Sequence, residues 1–194
     1  TPTLKRTDAS VDMVAEVGID GQVVRNDFDY APIFGEMYDV EDSYGNVFVR
    51  IPKFYIRKTD GPNYKTWQVS KIRYREFYLP WCFWDFAHGR ELPYIDVGKH
   101  KASLSEDGLR LESKPDRIPL VSRTIVSFRD LARANNADGR RGYQQMDVHA
   151  YDVLRTLMFV EFATLNLQSV MAGYTSGIYS ADYKALIAEQ GANR

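Results

Sequence analysis

One cysteine, three histidines and no long apolar run set the first limits on this chain. Cys82 has no partner for an internal disulfide, and a lone cysteine cannot build a Cys or Cys/His metal cluster. His88, His100 and His149 are widely spaced and form neither His-x-x-x-His nor His-x-Glu, so metal-ligand spacing is missing. No stretch approaches the roughly 20 apolar residues that span a bilayer, and no signal-peptide pattern opens the chain. Charge of one sign is lacking too: 25 Lys and Arg against 26 Asp and Glu leave −1. No basic field therefore argues for nucleic acid or an anionic membrane surface. Gly-x-Ser-x-Gly, Walker and Gly-x-Gly-x-x-Gly motifs are absent. No cofactor is implied.

What is present suits a globular protein. A chain of 194 residues fits one domain and can bury roughly 70% of its unfolded surface without disulfide or metal staples. Hydrophobic content of 44% and charged content of 26% are ordinary. The chain opens at Thr1 rather than Met and ends at Gly191-Ala192-Asn193-Arg194 with no helix-stop pattern, so the full polypeptide is expected to run on in both directions. Residues 1–28, with weak periodicity and a turn at Gly18-Ile19-Asp20-Gly21-Gln22, read as an arm or linker. Residues 29–194 read as the domain, incomplete at its C-terminus.

The organising stretch is 78–104. Trp81 and Trp84 lie within four residues of each other, and aromatics of that size dominate a core's energetics. The stretch is expected at the centre of the core, with a polar turn at His88-Gly89-Arg90-Glu91 and a strand over residues 94–97. Cys82, between Trp81 and Phe83, reads as a small buried hydrophobe. A catalytic thiolate would need His or Arg close by, and His88 is the one histidine near it in sequence.

The remaining elements follow from local chemistry. Turn residues at Asp42-Ser43-Tyr44-Gly45-Asn46 precede the β-branched and aromatic run 47–58, in which Pro52 marks an edge, a bulge or a break between two strands. Asp60-Gly61-Pro62-Asn63 turns the chain into the alternating run 64–70, predicting a hairpin. Glu106-Asp107-Gly108 between apolar flanks predicts another, and Pro115 and Pro119 punctuate a loop. Ser127 as N-cap with Asp130 three residues on predicts a first helix, stopped at Asn136-Ala137-Asp138-Gly139. Asp147 caps a second, from Val148 to about Leu165, with Met146 and Tyr151 at staple spacing. Its broad apolar arc holds Tyr151, Val153, Leu154, Leu157, Met158, Val160, Phe162 and Leu165, opposite His149, Asp152, Arg155 and Thr156, so the helix is expected mostly buried. Strands with only two helices predict an α+β fold with a dominant antiparallel sheet.

Three features could carry chemistry or binding. Glu161 falls inside the apolar arc, where an unpaired charge is costly. It is either a carboxylate of raised pKa poised for acid–base work or a structural glutamate held by Arg, a Trp N–H or backbone N–H groups. The structural reading is preferred, because no second carboxylate or His shares that face. Asp39 to Gly45 faintly resembles a calcium loop, but Tyr44 stands where glycine belongs and no Glu occupies position twelve, so a turn is expected. The run 173–183 is rich in Tyr, Ser and Gly, the composition of adaptable recognition loops. Tyr174, Tyr179 and Tyr183 are the candidate ligand-binding residues, although a packed loop whose tyrosines cover core is the plainer reading.

Residues 54–58, Phe77-Tyr78-Leu79-Pro80, Tyr94-Ile95-Asp96-Val97-Gly98-Lys99, Lys101-Ala102-Ser103-Leu104, Gln144-Gln145-Met146-Asp147 and Asn166-Leu167-Gln168-Ser169-Val170 resemble bacteriophage tail and tail-fibre proteins with a C-type lectin-like fold of the formylglycine-generating-enzyme kind. The likeness covers about residues 30–175. It implies a small twisted antiparallel sheet, two helices and long loops that carry the ligand surface. It also implies a virion tail or tail-fibre location, extracellular in action, with a host receptor protein or glycan, other tail proteins and further copies of the chain as partners. The formylglycine-generating oxidases use a cysteine pair for copper, and one cysteine rules against that activity. Glu-Pro-Asn and Trp-Asn-Asp, the calcium-dependent sugar motifs, are absent. A non-enzymatic receptor-binding domain is therefore the first expectation, a structural tail or baseplate scaffold the second, and an enzyme of the oxidase-like branch the third.

Overall fold

The computed structural model describes residues 4–17, 23–137 and 142–170. The expected turn at 18–22, the end of the helix stop at Asp138-Gly139 and the Tyr-rich run with Tyr174, Tyr179 and Tyr183 lie outside them.

Short antiparallel hairpins make up most of the chain. β1 (Ala15–Val17) pairs with β2 (Val23–Asn26), and β3 (Tyr38–Glu41) with β4 (Val47–Pro52). β5 (Tyr55–Asp60) pairs with β6 (Lys65–Ser70), and β7 (Trp84–Asp85) with β8 (Arg90–Glu91). β9 (Tyr94–Gly98) lies beside β4 in a three-stranded sheet, and β10 (Ser103–Leu104) pairs with β11 (Leu111–Glu112). Two α-helices, α1 (Ile125–Arg133) and α2 (Val148–Phe162), and five short 3-10 turns complete the described residues. The α+β class is the one expected, as are the interruption at Pro52 and the turns at Asp60 to Asn63 and at Asp107-Gly108, but in place of one dominant antiparallel sheet the described residues form several small ones of two or three strands.

The chain divides into two compact units: Thr1–Met37 with Ile51–Ile95 and Asp147–Gly173, and Tyr38–Arg50 with Asp96–Met146 and Tyr174–Arg194. The stretch 78–104 is thus not one core centre, because the chain passes between units at Ile95.

In the first unit Phe28, Ile33, Ile51, Phe54, Ile56, Phe83, Val153 and Leu157 are buried. The Phe54 and Phe83 rings meet edge to face, centroids 5.5 Å apart. Helix α2 packs on β6, where Phe159 meets Trp67 edge to face at 5.4 Å. Asp147 caps it as expected, its Oδ1 accepting from the His149 and Ala150 N–H groups. The burial of α2 differs from the arc. Thr156, placed on the polar side, is buried, whereas Tyr151 is exposed. The helix also stops short of Leu165, because Ala163 turns left-handed at φ 49°. Arg6 covers the end by donating to the Val160 and Glu161 carbonyls, satisfying groups that a helix terminus leaves orphaned. Arg6, the β1–β2 hairpin and buried Phe28 all come from the stretch expected as an arm or linker.

The second unit is built around a polar hub. Asp42 Oδ1 accepts from the Tyr44 and Asn46 N–H groups, and its Oδ2 accepts from Asn46 Nδ2 at 2.9 Å and Tyr143 Oη at 2.7 Å. The faint calcium loop is therefore an Asx turn, as expected. Buried Asn46 accepts the Ser113 N–H at 2.9 Å, and Ser113 Oγ donates to the Val47 carbonyl at 2.7 Å. Helix α1 packs on β11. Its N-cap is Thr124, whose Oγ1 accepts the Ser127 N–H at 3.2 Å, rather than Ser127 itself.

Candidate functional site

The β7–β8 hairpin of the first unit and the 3-10 turn Trp81–Phe83 that leads into it carry an exposed, stacked aromatic pair. Below it, buried Phe83 anchors the chain, and the Leu92 N–H donates to the Phe83 carbonyl at 2.8 Å. Above it, Asp85 gathers the turn. Its backbone carbonyl accepts the Gly89 N–H at 2.8 Å, and its Oδ1 accepts the Ala87 N–H at 3.1 Å. Gly89 takes φ 62° with open space where a Cβ would stand, so backbone conformation and not crowding requires glycine there. Asp85 Oδ2 meets His88 Nδ1 at 2.6 Å and Arg90 Nε at 3.5 Å. The His88 hydrogen bond outweighs desolvation and holds the Asp85 carboxyl below its usual range.

Trp81 and Phe86 flank this turn with centroids 5.4 Å apart and planes 26° from parallel. They are 56% and 71% exposed. Trp81 is thus surface and not core filling; its neighbour Phe83 takes the interior position instead. Size alone pointed to burial of the tryptophan, and no local pattern separates the two rings. The hairpin base is braced separately: Glu91 Oε2 accepts from Lys53 Nζ at 2.7 Å and Tyr55 Oη at 3.1 Å. The outcome is a pinned turn presenting two stacked rings beside His88 and Arg90, both exposed. Aromatic area on a rigid support with polar groups at its edge suits contact with a partner.

The other candidates resolve into structural roles. Cys82 is half-buried, and burial, aided by the charges of Asp147 and Asp152, pushes its thiol up to about 12. It stays protonated at neutral pH, and a thiol is a poor nucleophile. Glu161 Oε1 accepts from Asn26 Nδ2 at 2.7 Å, while Arg6 binds its backbone carbonyl. Burial raises its pKa, with the negative charge of Asp29 adding to the effect. The expected structural glutamate is found, but its partner is an asparagine 135 positions away, which no helical periodicity could indicate. Among the described residues no group of three or more His, Cys, Asp or Glu side chains is placed to hold a metal, and no helix is long and apolar enough to cross a membrane.

No family model, curated protein or solved structure matches the chain.

Proposed function

We propose that the chain is a non-enzymatic attachment domain of a bacteriophage tail fibre, with a C-type lectin-like fold, that recognises a host surface protein or glycan. The observation that carries this reading is the solvent-open Trp81–Phe86 stack on the Asp85-pinned turn. Large aromatic rings supply contact area at low entropic cost, and here their backbone support is fixed before any partner arrives. The protonated Cys82 thiol and the asparagine-held Glu161 support a binding role over a catalytic one. Several copies per particle would add avidity without new contacts.

The alternative is a structural tail or baseplate protein. It is favoured by Tyr30, Val24 and Val148, which are 93%, 68% and 69% exposed and would be covered by neighbouring tail proteins or further copies. The test uses fluorescently labelled purified chain and cells of the bacterium on which the phage propagates. Adhesion is expected, falling about tenfold in Trp81→Ala/Phe86→Ala while circular dichroism is unchanged. Antibody against the chain should label tails of intact particles. Tail labelling with no cell adhesion selects the scaffold; absence from every particle removes both readings.

A further inference from the structure

Five consecutive residues of the first unit, Phe86 to Arg90, are exposed, and Gly89 has open space where a Cβ would stand. The tip of the β7–β8 hairpin therefore stands clear of the packing beneath it and offers both of its faces to solvent. Its conformation is nevertheless fixed from inside, because Asp85 takes the Ala87, His88 and Gly89 N–H groups.

The charges of the tip are sorted by depth. The carboxylates lie low: the Asp85 side chain is 18% exposed and that of Glu91 29%, and internal donors fill both. The cations stand high. Arg90 is 69% exposed and meets Asp85 only through Nε at 3.5 Å, so its two terminal nitrogens bond no other described residue. His88 meets Asp85 through Nδ1 and leaves Nε2 without a described partner. Lys53 first, and Arg73 to a lesser degree, hold the Glu91 carboxyl below its usual range, which places exposed Arg73 near the hairpin base. Asp147 and Asp152, whose charges reach Cys82 beside Trp81, are taken up by the first amides of α2 and by Lys58 and Arg155. The outward face of the tip is therefore basic.

The rings and the guanidinium are held together by the shortness of the turn. Asp85 and Arg90 are directly opposed across the hairpin, which keeps the Phe86 and Arg90 Cα atoms within about 9–10 Å of each other. Trp81 lies on Phe86. A protein partner covering roughly 800 Å² takes in all three.

We propose that this tip enters a concave site on a host surface protein, with apolar walls for Trp81 and Phe86 and a carboxylate for Arg90. The inference rests on the attachment reading and chooses between its two ligand classes. A glycan chain lies along one face of a turn, whereas a hollow in a protein covers both faces of a protruding one. Sugar hydroxyls also need acceptors, and the acceptors of this turn are already filled. Aromatic residues and Arg are the side chains enriched in protein–protein contacts, and the guanidinium fork matches a carboxylate.

The cell-adhesion assay decides this when the target cells are stripped beforehand, of surface protein with proteinase K or of glycan with periodate. Proteolysis is expected to abolish adhesion of the labelled full chain, and periodate to leave it. Two variants test shape and charge separately. Gly89→Asn keeps a left-handed backbone that asparagine tolerates and adds bulk to the tip, so adhesion should fall about tenfold with circular dichroism unchanged. Arg90→Gln leaves Asp85 its bonds to the Ala87 and His88 N–H groups. It should lower adhesion about tenfold and flatten the decline of adhesion with salt, a change of slope that a merely loosened turn does not give. Adhesion that survives proteolysis or is lost after periodate overturns the inference while the attachment reading stands. Wild-type adhesion by Gly89→Asn, or an unchanged salt dependence in Arg90→Gln, overturns it as well. A parent chain that binds no untreated cells brings down the attachment reading, and this inference with it.

Discussion

Phe54 and Phe83 fill the interior of the first unit; Asn46 and Ser113 fill that of the second. Among the described residues, every buried apolar side chain except Ala132 belongs to the first unit. The second buries Asn46, Ser103, Ser105, Ser113 and Asn135. Apolar burial is non-directional and scales with area, so the first unit needs shape and volume. A polar interior needs each donor matched to an acceptor, so the second depends on angles and distances. The same local device also serves different ends. Asp85 and Asp42 both gather turn N–H groups, but Asp85 turns its other oxygen to exposed His88 and Arg90, whereas Asp42 turns its own to Asn46 and Tyr143. What lies beyond the turn decides whether it props up a surface or closes a core.

This contrast can be tested by removing one member from each interior. Phe83→Ala should have the largest effect, costing about 3–5 kcal/mol as expected for a buried aromatic, read by urea unfolding. Asn46→Ala should cost about 2–3 kcal/mol, because it strands the Ser113 N–H and leaves Asp42 short of donors. A loss below about 0.5 kcal/mol would mean that the hub is incidental, since a stranded buried group alone costs about 1–3 kcal/mol. The smallest effect is expected from Glu161→Gln, which sharpens the comparison by removing a buried ionisable group from the apolar unit. Burial raises the Glu161 pKa above its ordinary 4.5. The folded state therefore holds the proton more tightly, so the stabilisation is complete below 4.5 and is lost as pH rises through the raised value. Gln can still accept from Asn26 and carries no charge, so the variant should be at least as stable as the parent at neutral pH. Its stability should also fall less across that window, as thermal unfolding at a series of pH values would show. Asp42 runs the other way. Burial opposes its charge, but the Asn46 and Tyr143 donors win and lower its pKa below 3.8, so its contribution is lost as pH falls.

The elements that short-range chemistry controls were readable. Asp147 followed by an uninterrupted apolar helix, Pro52 between two β-rich runs, and Asp-Gly turns each work within a few residues, and each stands where expected. The failures share a non-local cause. Helix α2 ends at a left-handed alanine without glycine or proline, and its last carbonyls are covered by Arg6, 154 positions away. Helix α1 starts three residues before the expected Ser127 because Thr124 caps it, and the exposed, β-branched Ile125 and Val126 disguise its first turn. Trp81 and Phe83 are alike in composition terms; only the surrounding packing sends one outward.

Cys82 lends the molecule a built-in clock. Its sulfur is half-covered and its proton firmly held, so a thiol-reactive dye added to the native protein finds a sluggish target. Each transient opening of the first unit releases an ordinary cysteine. With no other sulfhydryl among the 194 residues, the rate of dye uptake counts those openings one unit at a time, without an engineered label.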